Sequence, residues 1–189
     1  LSNQLQEVRG VVQERSGVVK KILVFYGMAD ITGDTRKALD ALKTPGWNEL
    51  SIDAVIGDPD NMYATAVEYA DLFKNISFHN RLPTLAHLMQ HADLALGAGG
   101  LTTYERLFLG LPAIVTTVAK NQIQPTKFMN EQGLLLWLGD SNQVTPDKLL
   151  EKLQRVASRP EMLREQSKRG LRLIDGRGCD RVCQVMEAV

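Results

Sequence analysis

Small residues, hydroxyls and a carboxylate follow one another between Gly97 and Glu105. The four residues Gly97–Gly100 (GAGG) come after an apolar run, and Thr102 and Thr103 come directly before the segment that carries Glu105. Glycine lets the backbone approach a ligand closely, and the unpaired N–H groups at the start of a helix attract anions. The pattern therefore predicts a phosphate site at this corner. A carboxylate one turn further along can accept hydrogen bonds from neutral hydroxyls, such as those of a ribose.

Each of these residues also has an ordinary structural explanation. Glycines allow a strand–helix turn to pack closely, threonine caps helices, and glutamate is favourable in a first helical turn. Any one of them alone carries little weight. Their combination directly after a buried strand favours a ligand site.

Short apolar segments alternate with helical patterns along the chain. Strands are predicted at 20–26, 51–57, 75–79, 92–96, 112–117 and 134–138, and helices at 2–15, 33–43, 61–73, 82–91, 102–109, 124–132, 146–159, 161–175 and 180–189. This alternation predicts an α/β fold with a Rossmann-like, parallel, six-stranded sheet and helices on both faces. Ligands bind at the carboxyl ends of such strands, so we expect the loops Gly27–Gly33 and Gly97–Thr103 to open onto one edge.

Two common nucleotide-binding motifs fit poorly. Gly97 and Gly99 begin a G-x-G-x-x-G pattern, but Thr102 occupies the third glycine position, and no acidic residue closes the strand predicted at 112–117. No Gly-Lys-Thr or Gly-Lys-Ser sequence follows, so the corner is not a P-loop. A dinucleotide cofactor is therefore poorly supported, and an ATPase even less so.

Composition excludes several classes of protein. The 189 residues carry a formal net charge of zero, so neither nucleic acid nor an anionic membrane is an expected partner. The sequence shows no long apolar run and no signal peptide, which predicts a cytoplasmic protein without a membrane span. Cys179 and Cys183 are interpreted as reduced, part-buried thiols. Because the sequence begins with Leu1, we expect it to be a piece of a longer protein.

The histidines offer little evidence for a metal. His87 and His91 are four residues apart on a predicted helix, which is the spacing of a zinc pair, but no third ligand accompanies them. An ordinary helix surface explains them better. We therefore expect no metal and no cofactor.

The segment GAGGLTTYERLFLGLP at 97–112, followed by KNQ at 120–122, resembles one group of nucleotide-sugar enzymes. These are the UDP-2,4-diacetamido-2,4,6-trideoxy-β-L-altropyranose hydrolases of pseudaminic acid biosynthesis and the related spore-coat polysaccharide biosynthesis proteins. More distantly, the segment resembles the transferase that adds N-acetylglucosamine to the peptidoglycan lipid precursor. KKILVFYG at 20–27 and DGRG at 175–178 are similar to further segments of the same group. All share the two-domain GT-B architecture, in which the C-terminal domain holds most of the nucleotide.

The resemblance implies a division of the chain and a reaction. Residues 1–18 would be an inter-domain linker helix, and residues 19–189 the domain that binds a UDP-sugar. The family's catalytic histidine lies in an N-terminal domain that this sequence does not contain, so we expect residues 1–189 alone to be inactive. In the whole protein, water would attack the anomeric carbon and UDP would leave. The alternatives are the donor-binding domain of a glycosyltransferase and a non-catalytic nucleotide- or partner-binding module.

The resemblance also implies roles for individual residues. Backbone amides at 99–102 would meet the diphosphate, and a hydroxyl of Thr102 or Thr103 would add a bond. Glu105 would accept from the ribose, and the loop at 79–82 would contact uracil largely through its backbone. The implied substrate-binding residues are Gly27, Asp30, His79, Leu82, Gly99, Gly100, Leu101, Thr102, Thr103, Glu105, Asn121 and Gln122.

One loop departs from the family pattern. The family has Gly-Gly-x-Asp after its first strand, whereas this chain has Gly27, Met28, Ala29 and Asp30. A methionine side chain at the second position predicts weaker contact between this loop and the diphosphate. From the residue types alone, Asp30 and Asp58 are interpreted more readily as turn or cap residues, although Asp30 is the better functional candidate of the two.

Overall fold

A single parallel sheet organises the domain. The structure is a computed structural model that describes residues 2–187. The strands are β1 (Lys21–Phe25), β2 (Ser51–Val55), β3 (Asn75–His79), β4 (Leu94–Ala98), β5 (Ala113–Thr117) and β6 (Leu136–Asp140). They lie in the order β3-β2-β1-β4-β5-β6, and every neighbouring pair is parallel. The predicted Rossmann-like, six-stranded parallel sheet is confirmed.

Helices connect the strands and cover the sheet. They are α1 (Asn3–Arg9), α2 (Asp34–Leu42), α3 (Pro59–Tyr69), α4 (Ala86–His91), α5 (Thr102–Phe108), α6 (Lys120–Glu131), α7 (Pro146–Ala157), α8 (Pro160–Leu173) and α9 (Gly178–Glu187). Short 3₁₀ turns follow α3 and β6. No helix among residues 2–187 is long and apolar enough to cross a membrane.

Alternating side chains of the strands form two apolar cores. Ile22 and Val24 pack with α2 and α7 on one face of the sheet. Leu23 and Phe25 point to the other face and pack with α1, α4 and α5. Successive residues of a strand face opposite sides, so a strand buried on both faces has no polar side. This explains the uninterrupted apolar runs of the sequence, and it confirms the expected helices on both faces.

The N-terminal segment is more closely packed than a helix over 2–15 suggested. The helix ends at Arg9, and Gly10 caps it. Arg15 lies beyond the helix, where its guanidinium donates to the carbonyl oxygens of Met89 and Ala92 at 2.8 and 2.9 Å. The predicted extent of this helix is therefore wrong. The assignment of 1–18 as an inter-domain linker stays a prediction.

Several boundaries of strands and helices also differ from the predictions. β4 and β6 each begin and end two residues later than predicted. For β4 the cause is Asp93, whose carboxylate accepts the amides of Lys20 and Lys21 at 2.9 Å and holds the chain just outside the sheet. Helix α6 begins four residues earlier than predicted, at Lys120. The helix predicted at 180–189 corresponds to α9, and positions 188–189 lie outside the described residues.

The two cysteines are more exposed than predicted. Cys179 and Cys183 are free thiols on α9, and both are exposed rather than part-buried. No residue of α9 is buried, so the apolar side of this helix has no core to cover the thiols. Across residues 2–187, no group of three or more His, Cys, Asp or Glu side chains is arranged to hold a metal ion.

Candidate functional site

The two loops predicted to hold ligand meet at the centre of the sheet. β1 and β4 are adjacent, with Phe25 opposite Gly97, and Gly97 is in turn opposite Val115 of β5. The order of the strands reverses between β1 and β4, which is where open α/β sheets bind ligands. The loops after β1 and β4 therefore leave the carboxyl edge of the sheet side by side, as predicted, and the loop after β5 lies next to them.

Close packing explains why two positions of the corner are glycine. A Cβ on Gly97 would lie 2.7 Å from Nη1 of Arg106 and 2.5 Å from the carbonyl oxygen of Phe25. A Cβ on Gly99 would lie 2.4 Å from Oγ1 of Thr126 on α6. A side chain at either position would therefore force neighbouring groups to move. Gly100 has more room, because its nearest neighbour would be Nε2 of Gln122 at 3.7 Å.

Three consecutive amides of this corner have no protein acceptor. The N–H of Gly99 donates to the carbonyl oxygen of Thr116 at 3.2 Å and so belongs to the sheet. The N–H groups of Gly100, Leu101 and Thr102 make no hydrogen bond within residues 2–187. The predicted set of four amides is thereby reduced to three that are available to an anion.

The two threonines differ in their surroundings. Thr103 is 3% exposed, and its hydroxyl oxygen accepts from Nη2 of Arg106 at 2.9 Å. Thr102 is the first residue of α5 and is partly exposed. Of the two hydroxyls considered for phosphate, Thr102 is therefore the one that can reach a ligand.

Glu105 is a carboxylate held in a partly buried position. Within residues 2–187, no group hydrogen-bonds or forms an ion pair with it. Burial raises the pKa of Glu105 above its usual range, and the nearby Arg106 opposes that shift. As far as residues 2–187 are concerned, this carboxylate is available to accept hydrogen bonds from a bound molecule.

The raised pKa of Glu105 predicts a stabilising substitution. When folding raises the pKa of a carboxyl group, the folded protein binds a proton more readily than the unfolded chain does. Stability therefore falls as pH rises from the usual pKa of the group to its raised pKa. Glu105→Gln should therefore raise Tm at pH 7 by about 1–2 °C, a small effect because solvent screens a partly exposed group. Thermal unfolding at pH 4 and pH 7 tests this: the gain should be larger at pH 7. An equal gain in Tm at both pH values would contradict it.

The loop after β1 combines an open backbone position with a capped helix. Gly27 has φ of 100°, and no atom lies within 4 Å of the position that a Cβ would take. The carboxylate of Asp30 accepts the amides of Asp34 and Thr35 at 3.0 and 3.1 Å and so caps α2. Asp58 caps α3 through the amide of Asn61 at 2.8 Å. The interpretation of both aspartates as caps is confirmed.

Three loops on this edge are packed against one another. A Cβ on Gly57, after β2, would lie 2.2 Å from the carbonyl oxygen of Met28. The side-chain amide of Asn80, after β3, donates to the carbonyl oxygens of Ile56 and Gly57 at 2.7 and 3.1 Å. Arg81 takes a left-handed φ of 46°. The loop predicted to contact uracil is thereby fixed to the loop after β1.

Inside the sheet, His79 is paired with a buried carboxylate. Its Nε2 lies 2.8 Å from Oδ1 of Asp53 and must donate, because an ionised carboxylate only accepts. Lys21 forms an ion pair with Oδ2 of the same carboxylate at 2.7 Å. Asp53 is 4% exposed. Leu82, the other end of the predicted uracil loop, is partly buried against the core on the α4 side. Sequence reasoning missed Asp53, although a carboxylate in the middle of the apolar strand SIDAV was a signal that it has partners.

Asn121 and Gln122 lie in the first turn of α6. The side-chain oxygen of Gln122 accepts the amide of Val118 at 3.0 Å, and its amino group faces Gly100. Gln122 thus connects the loops after β4 and β5. Asn121 is exposed beside it.

A cavity of about 540 Å³ lies next to these residues, between the loops after β1, β5 and β6. Its lining includes the hydroxyls of Thr32 and Thr117, the carboxylate of Asp140, and the cations of Lys37 and Lys120. Lys37 is already bonded to the carbonyl oxygen and hydroxyl of Ser141 at 2.8 and 3.0 Å. The sequence analysis singled out the loop that contains Thr32 and the KNQ segment that begins at Lys120, but not Lys37, Thr117 or Asp140, which lie outside those segments.

Comparisons with known proteins show what this chain is similar to. No protein-family model matches it. It is 32% identical over 103 residues to the spore coat polysaccharide biosynthesis protein SpsG of Bacillus subtilis (strain 168), a match that covers 54% of this chain and 30% of that protein. The chain therefore spans about a third of the length of that relative.

Solved structures show the same fold. MurG of Acinetobacter baumannii superposes on the whole chain with a TM-score of 0.77 at 18% identity, over 54% of its own length. UDP-GlcNAc 2-epimerase from Neisseria meningitidis, bound to UDP-GlcNAc, matches 98% of this chain and 48% of its own with a TM-score of 0.64 and 16% identity. Together with the sheet order, these likenesses show the fold: the chain is a Rossmann-like α/β domain similar to a domain of each of these solved structures.

Proposed function

We propose that this chain is the nucleotide-binding half of an enzyme that hydrolyses a UDP-linked amino sugar. The whole protein would act in pseudaminic-type nonulosonic acid or surface polysaccharide biosynthesis. The observation that carries the proposal is the row of three unpaired amides at Gly100, Leu101 and Thr102, at the point where the strand order reverses. The similarity to SpsG supports the same class of biology.

The dimensions of the sheet edge fit an extended UDP-sugar. Neighbouring strands lie about 4.8 Å apart, so the four intervals from β3 to β5 span roughly 19 Å. Uracil would lie by the loop at 79–82 after β3, and the diphosphate between β1 and β4. The sugar would lie by Asn121 and the cavity after β5. Uracil, the diphosphate and the sugar would thus lie along the edge in the same order as in the UDP-sugar molecule.

Every predicted residue except Gly99, whose amide is bonded within the sheet, has a role in this arrangement. The amides of Gly100, Leu101 and Thr102 and the hydroxyl of Thr102 bind diphosphate oxygens, and Gly27 leaves space on the opposite side. Glu105 accepts from the ribose. His79 and Leu82 hold the uracil loop, Asn121 reaches the sugar, and Gln122 positions the loop at Gly100. Asp30 and Thr103 act indirectly, because their polar atoms are bonded within the protein.

The amides also suit the chemistry of hydrolysis. Water attacks the anomeric carbon, the bond from that carbon to the phosphate oxygen breaks, and UDP leaves with the electron pair. Negative charge grows on the diphosphate in the transition state, and fixed N–H groups stabilise it without reorganising. The base that takes the proton from water would come from outside residues 1–189.

Glycosyl transfer is the second candidate, and the likeness to MurG favours it. The two reactions use the same donor site and differ in whether water or an acceptor hydroxyl attacks. Product analysis of the whole protein with a UDP-sugar separates the candidates. Free sugar with UDP supports hydrolysis, sugar joined to an acceptor supports transfer, and UDP-sugar binding without turnover supports a non-catalytic module.

Glu105→Ala is expected to weaken UDP binding by about 1–3 kcal/mol, the scale of a lost hydrogen bond to a charged group. The contact is with the ribose, so 2′-deoxy-UDP should lose much less affinity in the variant than UDP does. Calorimetric titration of both nucleotides measures the difference.

Glu165→Ala serves as the matched control for this substitution. Glu165 is an exposed carboxylate on α8, paired with Arg169 at 3.0 Å and remote from the site. This variant should bind both nucleotides as the unmodified protein does. Unchanged discrimination between UDP and 2′-deoxy-UDP in Glu105→Ala would exclude the ribose contact.

A further inference from the structure

Arg106 is a buried cation that lacks a carboxylate partner. Its side chain lies on α5 and the residue is 2% exposed. Nη2 donates to the carbonyl oxygen of Ala98 at 2.8 Å and to the hydroxyl of Thr103 at 2.9 Å, and Nε has no acceptor. No carboxylate within residues 2–187 forms an ion pair with it. Buried charges are usually paired, because removing an ion from water is costly.

The guanidinium lies directly beneath the corner that carries the three unpaired amides. Its hydrogen bonds join Ala98, at the end of β4, to Thr103, in the first turn of α5, so they span the loop between the two. Nη1 occupies the space that a side chain on Gly97 would fill. The missing side chain of Gly97 thus makes room for a cation at the carboxyl ends of β1 and β4.

The groups around Arg106 leave most of its charge uncompensated. The buried phenol of Tyr26 and the carboxylate of Glu105 interact electrostatically with it, and within residues 2–187 neither is hydrogen-bonded to it. Burial lowers the pKa of Arg106 to about 10, so the guanidinium is still charged at neutral pH. A charge in a poorly solvated interior acts over a longer range than one in water.

We propose that Arg106 is a positioning residue whose counter-charge is the diphosphate of the bound nucleotide. This inference rests on the proposed function of the corner. The side chain is too deeply buried to touch the ligand, so it acts in two indirect ways. Its hydrogen bonds hold the loop in the shape that points three amides outward, and its charge attracts the anion through that loop. This corner therefore selects for the number of phosphate charges, independently of the base.

A titration series with uridine, UMP and UDP tests this selection. In the unmodified chain, affinity should rise with each phosphate. Arg106→Met should reduce the ratio of UDP affinity to uridine affinity by about tenfold, equivalent to about 1.4 kcal/mol, while uridine affinity stays within about twofold. Arg106→Lys retains the charge and should keep the ratio within about threefold of the unmodified chain.

Arg15→Met is the matched control. Arg15 is also bonded to backbone carbonyl oxygens, but those of Met89 and Ala92, before β4 begins and thus at the opposite edge of the sheet. The Arg15→Met substitution should lower stability and leave the ratio of UDP affinity to uridine affinity unchanged.

The outcomes separate the two proposals. If the unmodified chain binds UDP no better than uridine, the proposed diphosphate site is wrong. If it discriminates and Arg106→Met discriminates equally, the role of Arg106 is overturned. Should Arg106→Met fail to fold, the lysine variant tests the role of the charge, because a collapsed ratio despite the retained charge would overturn the electrostatic attraction.

Discussion

Replacing Gly57 with alanine should lower the free energy of unfolding by about 3 kcal/mol and weaken UDP binding. The new Cβ would lie 2.2 Å from the carbonyl oxygen of Met28 and 2.8 Å from its Cα. Both contacts are with backbone, so no flexible side chain can move aside, and a close-packed interior tolerates such overpacking poorly. Relief requires the loop after β1 to shift away from the crevice. Urea unfolding and UDP titration measure the two effects.

Gly178→Ala is the control for this change. No atom lies within 4 Å of a Cβ at Gly178, and this position begins α9. Alanine there should leave stability and binding unchanged or slightly raise stability. If Gly57→Ala were as stable as Gly178→Ala, the close packing of the loops after β1 and β2 would be refuted.

Asp53→Ala should cost about 2–3 kcal/mol of stability, somewhat less than for a fully buried pair because Lys21 is partly exposed. The substitution removes the acceptor of His79 and the counter-ion of Lys21 at once. His79 begins the loop expected to contact uracil, so base selectivity should also fall. Chemical denaturation gives the first effect, and the ratio of UDP to CDP affinity gives the second.

Asp53→Asn separates the two functions of this carboxylate. Its side-chain oxygen can still accept from His79, but it carries no charge for Lys21. It should lose less stability than Asp53→Ala and keep its selectivity for uracil. An alanine variant with full stability would show that the buried carboxylate contributes nothing to the fold.

The fold could be predicted because its signal is local. Each strand is a short apolar run, and each helix has apolar residues at helical spacing. The alternation of the two patterns predicts parallel βαβ connections. The errors in the boundaries also have physical causes, but these causes depend on residues that are distant in the sequence. Asp93 delays the start of β4 only because the amides of Lys20 and Lys21 lie beside it.

The sequence indicates which segment forms the candidate site, but not which of its atoms face a ligand. Gly97 resembled a ligand-binding glycine, and the structure shows that it makes room for Arg106. Thr102 and Thr103 are equivalent in sequence, yet only the second is bonded inside the protein. Asp53 and His79 are 26 residues apart and meet only because β2 and β3 pair in register. Periodicity shows which face a side chain takes, but not which neighbour it meets there.

The packing of α1 has a consequence for how the domain folds. Gln6 and Arg9 donate to the carbonyl oxygens of Gly176 and Leu171, partners 170 and 162 residues away. Loops of that length close slowly, and a chain emerging from the ribosome makes its N-terminal residues first. These two hydrogen bonds can therefore form only after α8 and the segment that follows it have been synthesised. Leu5 and Val8 can be covered earlier, because α1 also packs against α4.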